Sequence, residues 1–416
     1  MKIYVETYGC TANKSDERLL IGLVSHKGHE IVQNIAQADV LVILTCTVIG
    51  TTEQRMLSRL RIFQKTQKRI IVTGCMPTVQ IDLIRSIVPQ ASLLPCVSIQ
   101  FINDIIQGNK PVFTETKKTM LPRQYDTVIA PLMIAEGCKF SCSYCITRFA
   151  RGALHSFPIQ DIVSEVSCAV KQGCKEIQLT AQDTASYGLD TETNLGALLS
   201  QVCTLEGTFR IRVGMMNPAT LKKNINAICR AYQHQKIYKF LHVPVQSGND
   251  GILKKMNRGY TVQDFTGLVQ QFRNQISILT LATDVIVGFP TETEDQFKNT
   301  MKLIKEIHPD IINITRFSAR PLTTAKKMKG RLPTYVVKER SRQLTELCSR
   351  LVFKKNIKYI GDTARVLITE KGKQNTSKGR TENYKQVVIK EQVSLGDIVD
   401  VKIIDAAPTY LVGKLI

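Results

Sequence analysis

The chain has 416 residues, 43% of them apolar, which is enough for two or three domains with cores of their own. Its 56 Lys and Arg against 35 Asp and Glu leave a formal charge of +21; that excess favours a polyanionic partner, nucleic acid first, although a generally lysine-rich proteome gives the same total. There is no signal peptide and no apolar run long enough to cross a bilayer, so the twelve cysteines are read in a reducing cytoplasm, where clustered thiols bind metal more often than each other.

Residues 1–115 read as a first domain. Three Val/Ile/Leu-rich runs, Ile3–Tyr8, Val40–Thr45 and Arg69–Thr73, look like buried parallel strands. Helix-period stretches separate them, Ser15–His26 with Ser15 as N-cap and Thr52–Gln67, so the order β-α-β-α-β implies a doubly wound parallel sheet. Each run ends within a residue or two of a cysteine: Cys10, Cys46 and Cys75. The carboxyl ends of parallel strands share one edge, where ligands bind, so these three are expected to converge as ligands of an iron–sulfur cluster. Gly9 and Gly74 precede two of them and allow a sharp turn beside the site. Cys96 reads as a small buried residue rather than a fourth ligand. A cobalamin site is not expected, because no Asp-x-His-x-x-Gly loop is present and His26 and His29 read as loop residues.

Residues 125–330 carry six strand-like runs, each followed by helix-period sequence: Val128–Ala135, Glu176–Thr180, Arg210–Met215, Phe240–Val245, Thr280–Val287 and Ile311–Phe317. Six such units suggest an open, partial (β/α)6 barrel with its site at the carboxyl ends of the strands. Just after the first run come Cys138, Cys142 and Cys145. Three thiolates on a four-iron cubane leave one iron with an open position, whereas structural zinc takes four ligands and no fourth lies nearby. The Cys-x3-Cys-x2-Cys spacing, with Tyr144 before the last cysteine, resembles the radical S-adenosylmethionine (SAM) superfamily. In that superfamily the open iron chelates SAM, which is then cleaved to a 5′-deoxyadenosyl radical. On chemical grounds Asp284 or Gln246 suits the ribose hydroxyls, Arg212 or Arg258 the methionine carboxylate, and Gln182 the amino group or the substrate. Arg148, Arg151 and Gly152 either meet phosphates or cap the cluster loop.

Residues 331–358 read as a basic helical connector. From Arg316 to Lys358 there are thirteen Lys or Arg and two Asp or Glu, a net of 13 − 2 = +11, about half the chain's excess charge. One-sided charge on Arg340, Arg342, Arg350, Lys354 and Lys355 beside a site mouth favours phosphate contacts. Residues 359–416 alternate short strands and turns, as a small RNA-binding β-barrel would. Gly379–Tyr384 puts Arg380 and Tyr384 together, as RNA-binding surfaces do.

Several motifs in a shared order carry a resemblance that runs nearly end to end: Glu6–Lys14, Arg151-Gly152, Val213–Pro218, Leu241–Gly248, Met256–Tyr260 and Asp284–Pro290. The chain resembles the radical SAM methylthiotransferases, with a C-terminal module similar to TRAM domains. It looks most like the archaeal and eukaryotic branch, which acts on N6-threonylcarbamoyladenosine beside the tRNA anticodon, at position 37. Eukaryotic members of that branch carry a membrane-anchoring tail, which Val412–Ile416 does not resemble. The sequence departs from the family pattern at Thr291, Ser156-Phe157 and Ser318–Thr323, all in expected substrate loops.

The resemblance implies two [4Fe-4S] clusters, on Cys10, Cys46 and Cys75 and on Cys138, Cys142 and Cys145. One SAM methylates a sulfur associated with the first; a second SAM, cleaved at the other, activates C2 of the adenine. The implied partners are the tRNA anticodon stem-loop and an electron donor such as ferredoxin or flavodoxin, with no membrane. The two clusters must then face one cavity, so the first domain's sheet edge should cap the barrel mouth. Rival readings are methylthiolation of another adenosine derivative or of a ribosomal-protein aspartate, and a zinc-containing RNA-binding protein without activity.

Overall fold

The computed structural model describes residues 1–109 and 118–416; the end of the expected first domain, 110–115, lies outside the described residues. Val40–Thr45 is buried at every position because it is the middle strand of a parallel sheet covered on both faces. Strand order is Glu30–Val32, Lys2–Thr7, Val40–Thr45, Arg69–Gly74, Ser92–Pro95, all parallel. Alternate residues face opposite layers: Leu41, Ile43 and Val72 meet Leu60 and Phe63, while Val42, Leu44 and Ile71 meet Leu19 and Leu20. The two edge strands escaped the sequence reading because three or four residues carry no periodicity to detect.

The first helix runs Thr11–His26 and starts directly after Cys10, which corrects the placement of Ser15 as its N-cap. Ser15 is fully buried within the helix. Its hydroxyl oxygen accepts from the Met133 amide at 3.2 Å and the Arg123 guanidinium at 3.2 Å, so it joins two domains instead of capping one helix.

Six further parallel strands follow in chain order: Ile129–Met133, Glu176–Thr180, Arg210–Val213, Phe240–His242, Thr280–Val287 and Ile311–Arg316. They form two three-stranded sheets, which meet where Ile211 bridges Ile237 and the Met216 amide donates to the His242 carbonyl at 2.9 Å. Among the described residues the first and last strands do not pair, so the barrel is open along one side. Ala12 of the first domain shares the barrel's core with Leu132, Leu179 and Val213, so the first helix packs into the barrel wall.

Helix Thr334–Asn356 leads to a closed barrel of five strands, in the order Thr363–Lys371, Ser377–Thr381, Gln386–Ile389, Leu411–Leu415, Ile398–Ala406. Ser377–Thr381 (Ser-Lys-Gly-Arg-Thr) has too little apolar character to read as a strand from sequence; closure of the barrel supplies its partners.

Tyr384 is not the RNA-facing aromatic expected from its neighbours. It is 8% exposed, with its ring 4.8 Å from those of Tyr238 and Phe240, and its hydroxyl donates to Glu176 at 2.9 Å. It plugs the C-terminal barrel into the central one, where an apolar socket gives its ring more than water would. A buried charge set completes the joint. Asp310 accepts from Lys385 at 2.9 Å, Lys355 at 2.8 Å and the Leu281 amide at 3.0 Å. Burial alone would raise the Asp310 pKa, but Lys385 and Lys355 outweigh it and hold it below the usual carboxylate value.

Asp310→Asn should cost about 3 kcal/mol at neutral pH, because it leaves the buried Lys385 ammonium and the half-buried Lys355 ammonium uncompensated. A depressed folded-state pKa contributes stability that is complete above the unfolded value and lost as pH falls through the folded one. The gap between wild type and variant should therefore narrow below about pH 4, as read by denaturation midpoints across pH.

Candidate active site

The carboxyl edge of the first sheet faces the mouth of the central barrel. Cys10, Cys46 and Cys75 form one wall, and Cys138, Cys142 and Cys145 the other, of a single cavity of about 350 Å³. Backbone geometry makes the first wall. Gly9 has φ +113°, and a Cβ there would sit 2.9 Å from Cys46 Cβ; Gly74 has φ +88°, and a Cβ would run into the Thr45 backbone. Glycine is thus required at both turns. Asn13, part of the Glu6–Lys14 motif but given no role from the sequence, ties the wall together by donating to the Tyr8 carbonyl at 2.6 Å and the Thr45 carbonyl at 2.9 Å. Cys96 is fully buried behind Cys75, its thiol directed to the Ala150 carbonyl at 3.5 Å, as expected of a packing residue.

A buried ion set, which no local motif announces, joins the walls. Arg151, at the end of the cluster-loop helix, donates to Asp16 at 2.7 Å, Glu136 at 3.0 Å and Asn13 Oδ1 at 2.8 Å. Lys118 lies 2.8 Å from Glu136 and 3.8 Å from Asp16. Two cations balance two carboxylates, all under 9% exposed. Arg151 is therefore a clamp between domains and is not available to phosphate.

The donors suit a cluster and SAM. Burial pushes the Cys46 and Cys142 thiols up and Cys138 up to about 12, so these thiols stay protonated until iron displaces the proton. Among the described residues no three His, Cys, Asp or Glu side chains converge on a single ion; on a cubane each thiolate meets a different iron. Besides Arg151 Nε, four cavity-lining side chains keep buried polar atoms without partners: Gln182 Oε1, Gln246 Oε1, Arg212 Nε and Arg258 Nη2. Such atoms cost free energy unless a ligand meets them, and SAM offers an amino group, a carboxylate and hydroxyls.

Arg258 Nη1 is 3.1 Å from Cys142 Sγ, and its Nε is 3.2 Å from the Tyr260 hydroxyl. Gln246 holds a left-handed backbone, φ +67°, pinned by its amide on the Asp284 carbonyl at 2.8 Å and by the Ile286 amide on its own carbonyl at 2.9 Å. Strain of this kind costs about 1–3 kcal/mol and gathers at binding sites. Tyr144 and Gln246 also line an adjoining cleft of about 210 Å³, which contains Asp284. Asp284 accepts from His242 at 2.9 Å and Asn313 at 2.7 Å; burial raises its pKa, but His242, Asn313 and Arg258 together outweigh that and keep it low. Asp183, also in the main cavity, is pushed by burial up to about 6 despite bonds from the Asn217 amide at 2.9 Å and Thr220 at 2.7 Å.

The basic stretch divides differently from its sequence. Arg340 is buried against Glu292 at 2.8 Å and Glu294 at 3.2 Å, Arg342 pairs with Glu339 and Glu346, and Lys355 serves the Asp310 joint. The helix thus spends most of its named charges internally. Arg350 and Lys354 are exposed farther along the same helix, and Arg316 and Lys358 outside it, while Lys326, Lys327, Lys329, Arg331 and Lys338 form an exposed strip on either side of Tyr335, which is 74% exposed. This strip lies against the cluster loop, where the Ala325 amide donates to the Ser143 carbonyl at 2.7 Å.

Fold and site together define an enzyme of the radical SAM class, which employs a [4Fe-4S] cluster and SAM. The family model described as the radical SAM superfamily matches residues 132–304, that of the uncharacterized protein family UPF0004 matches 2–94, and that of the TRAM domain matches 358–416. The chain is 41% identical over 427 residues to the "Probable threonylcarbamoyladenosine tRNA methylthiotransferase" of Pyrococcus horikoshii, covering 100% of both chains. It is 31% identical over 441 residues to the human threonylcarbamoyladenosine tRNA methylthiotransferase, covering 99% of this chain and 74% of that one. The chain belongs to the threonylcarbamoyladenosine tRNA methylthiotransferase family. Among solved structures, the radical SAM methyltransferase TsrM of Kitasatospora setae, with cobalamin and a [4Fe-4S] cluster bound, matches with a TM-score of 0.57 over 78% of this chain and 76% of that one. At 12% identity it speaks for the fold alone. Among the described residues no helix is long and apolar enough to cross a membrane.

Arg151→Met should destabilise the protein by about 3–5 kcal/mol, since Asp16 and Glu136 would then share only Lys118. Adding Glu136→Gln rebalances the charges and should recover part of that loss, a coupling readable in a double-mutant cycle.

Proposed function

We propose that the protein transfers a methylthio group to C2 of N6-threonylcarbamoyladenosine at position 37, beside the tRNA anticodon, with two [4Fe-4S] clusters and two SAM molecules per turnover. The observation that carries this reading is the pair of facing cysteine triads on one cavity. The names borne by the relatives support the choice of nucleoside. When bound, the clusters and SAM supply the sulfur and the one-electron chemistry that an unactivated C–H bond demands.

The chain's own residues position and shield. Cys10, Cys46 and Cys75 hold one cluster, and Cys138, Cys142 and Cys145 the other. Arg258, already touching the Cys142 sulfur, offers its free Nη2 to the methionine carboxylate, a charge-assisted bond. Gln182 takes the amino group, Gln246 and Asp284 the ribose hydroxyls, and Tyr144 walls the nucleoside cleft. The sheet edge over the barrel mouth keeps water and oxygen from the reacting atoms. The target base must leave its stack to reach them. The strip around Tyr335 and the C-terminal barrel grip the RNA backbone, and a cytoplasmic ferredoxin or flavodoxin donates the electron.

Anaerobic reconstitution should load about eight irons per chain, and Cys46→Ala about four. Cys46→Ala should still cleave SAM under reductant yet form no 2-methylthio product on native tRNA; product formation by that variant would sink the reading. Replacing Lys326, Lys327, Lys329 and Arg331 with Ser should weaken tRNA binding across sequences and lower the slope of log affinity against log salt by up to about 3.

A further inference from the structure

The barrel's unpaired side borders the site. A cavity of about 580 Å³ lies there, between Pro131 and Asn313 of the two edge strands, with Lys14 of the first domain and Arg380 of the C-terminal barrel at its rim. Thr11, Arg212 and His242 line both this cavity and the one holding the cysteines, so the two adjoin across these side chains. Arg212 stands at their junction.

Its setting is unlike that of the other arginines of the inner cavity. Arg151 is neutralised by Asp16 and Glu136, Arg258 is held against Cys142 and Tyr260 with its Nη2 left for the SAM carboxylate, and Arg148 is exposed on the cluster-loop helix. The Arg212 guanidinium lies 5.1 Å from the centre of the Phe240 ring and 5.5 Å from that of Tyr384. Its Nε is buried without a hydrogen-bond partner, and among the described residues no carboxylate pairs with it. Aromatic neighbours stabilise the cation but accept none of its in-plane hydrogen bonds. The in-plane edge of an arginine fork matches a carboxylate.

We propose that Arg212 is the subsite for the carboxylate of the substrate's N6 amino-acid tail. The inference rests on the functional reading above, since threonylcarbamoyladenosine joins threonine through its nitrogen and leaves that carboxylate free. SAM brings a second carboxylate, but Arg258 lies against the cluster thiol where the methionine end must sit, whereas among the described residues Arg212 forms no hydrogen bond to a cysteine and stacks on Phe240 and Tyr384. In adenine C2 and C6 flank N1, so an adenosine whose C2 lies between the cysteine walls carries its N6 substituent on the same edge of the base, one ring atom round from the reacting carbon, and Arg212 lines that cavity as well as the neighbouring one. The lumen beside Arg212 has room for it. Tyr384 belongs to the C-terminal barrel, so the same contact seats that domain against the pocket that reads the modification.

The test compares two tRNAs on the reconstituted holoenzyme: one with the native tail, and one whose tail carboxylate is converted to the carboxamide. Wild type should favour the carboxylate by about 10- to 100-fold in kcat/KM, the range of a hydrogen-bonded charge. Arg212→Gln should bring that ratio close to one by slowing the native substrate, and Arg212→Lys should restore part of it. Because each ratio is taken within one protein, partial loss of clusters or fold cancels. A wild-type ratio kept by Arg212→Gln overturns the subsite; so does equal slowing on both tRNAs, which would give Arg212 to SAM. If wild type forms no 2-methylthio product on either tRNA, the functional reading itself fails, and the subsite with it.

Discussion

Everything at the site depends on two walls built from separate domains standing at a set distance. The constraint that maintains it is the buried set of Arg151, Lys118, Asp16 and Glu136. Such a set is a weak source of stability, because desolvation consumes most of its Coulomb gain. Its value is directional. Arg151 has two carboxylates and the Asn13 amide oxygen to satisfy at once, and one arrangement of the domains does so. Asn13 then transmits that alignment to the backbone between Cys10 and Cys46.

The same economy recurs at the other junction. Asp310 with Lys355 and Lys385, and Tyr384 against Tyr238 and Phe240, seat the C-terminal barrel on the central one. An RNA held by that barrel and by the strip around Tyr335 is thereby held relative to the cavity, not to a swinging module. Position matters more than affinity here: a radical abstracts whichever hydrogen is nearest, so the protein's task is to present one carbon and hold others away. Unpaired polar atoms at Gln182, Gln246, Arg212 and Arg258 are the cost of a cavity shaped for ligands it must release.

Strand limits in the central barrel were legible from the sequence within a few residues, because buried parallel strands are apolar runs bounded by polar turns. The cysteine triad of the first domain was legible for a different reason: topology sends all parallel strands to one edge, so residues far apart in sequence could be paired without seeing the fold. Charge was legible only as a total. Arg340 and Lys355 look the same in sequence as Lys327 and Lys329, yet the first two neutralise buried carboxylates and the latter face solvent.

What the amino-acid order determined alone was the class of chemistry and the architecture: a radical SAM motif, the parallel sheet, the open barrel and a polyanionic partner. Those features are local patterns or consequences of chain topology. Tertiary structure decided which side chains are free to act. Arg151 became a clamp, Tyr384 a plug, Ser15 a domain contact, and Arg212 an unpaired cation at the meeting of two cavities. Each outcome depends on partners more than a hundred residues away or in another domain, and a residue's availability is set by such neighbours, which no local window contains.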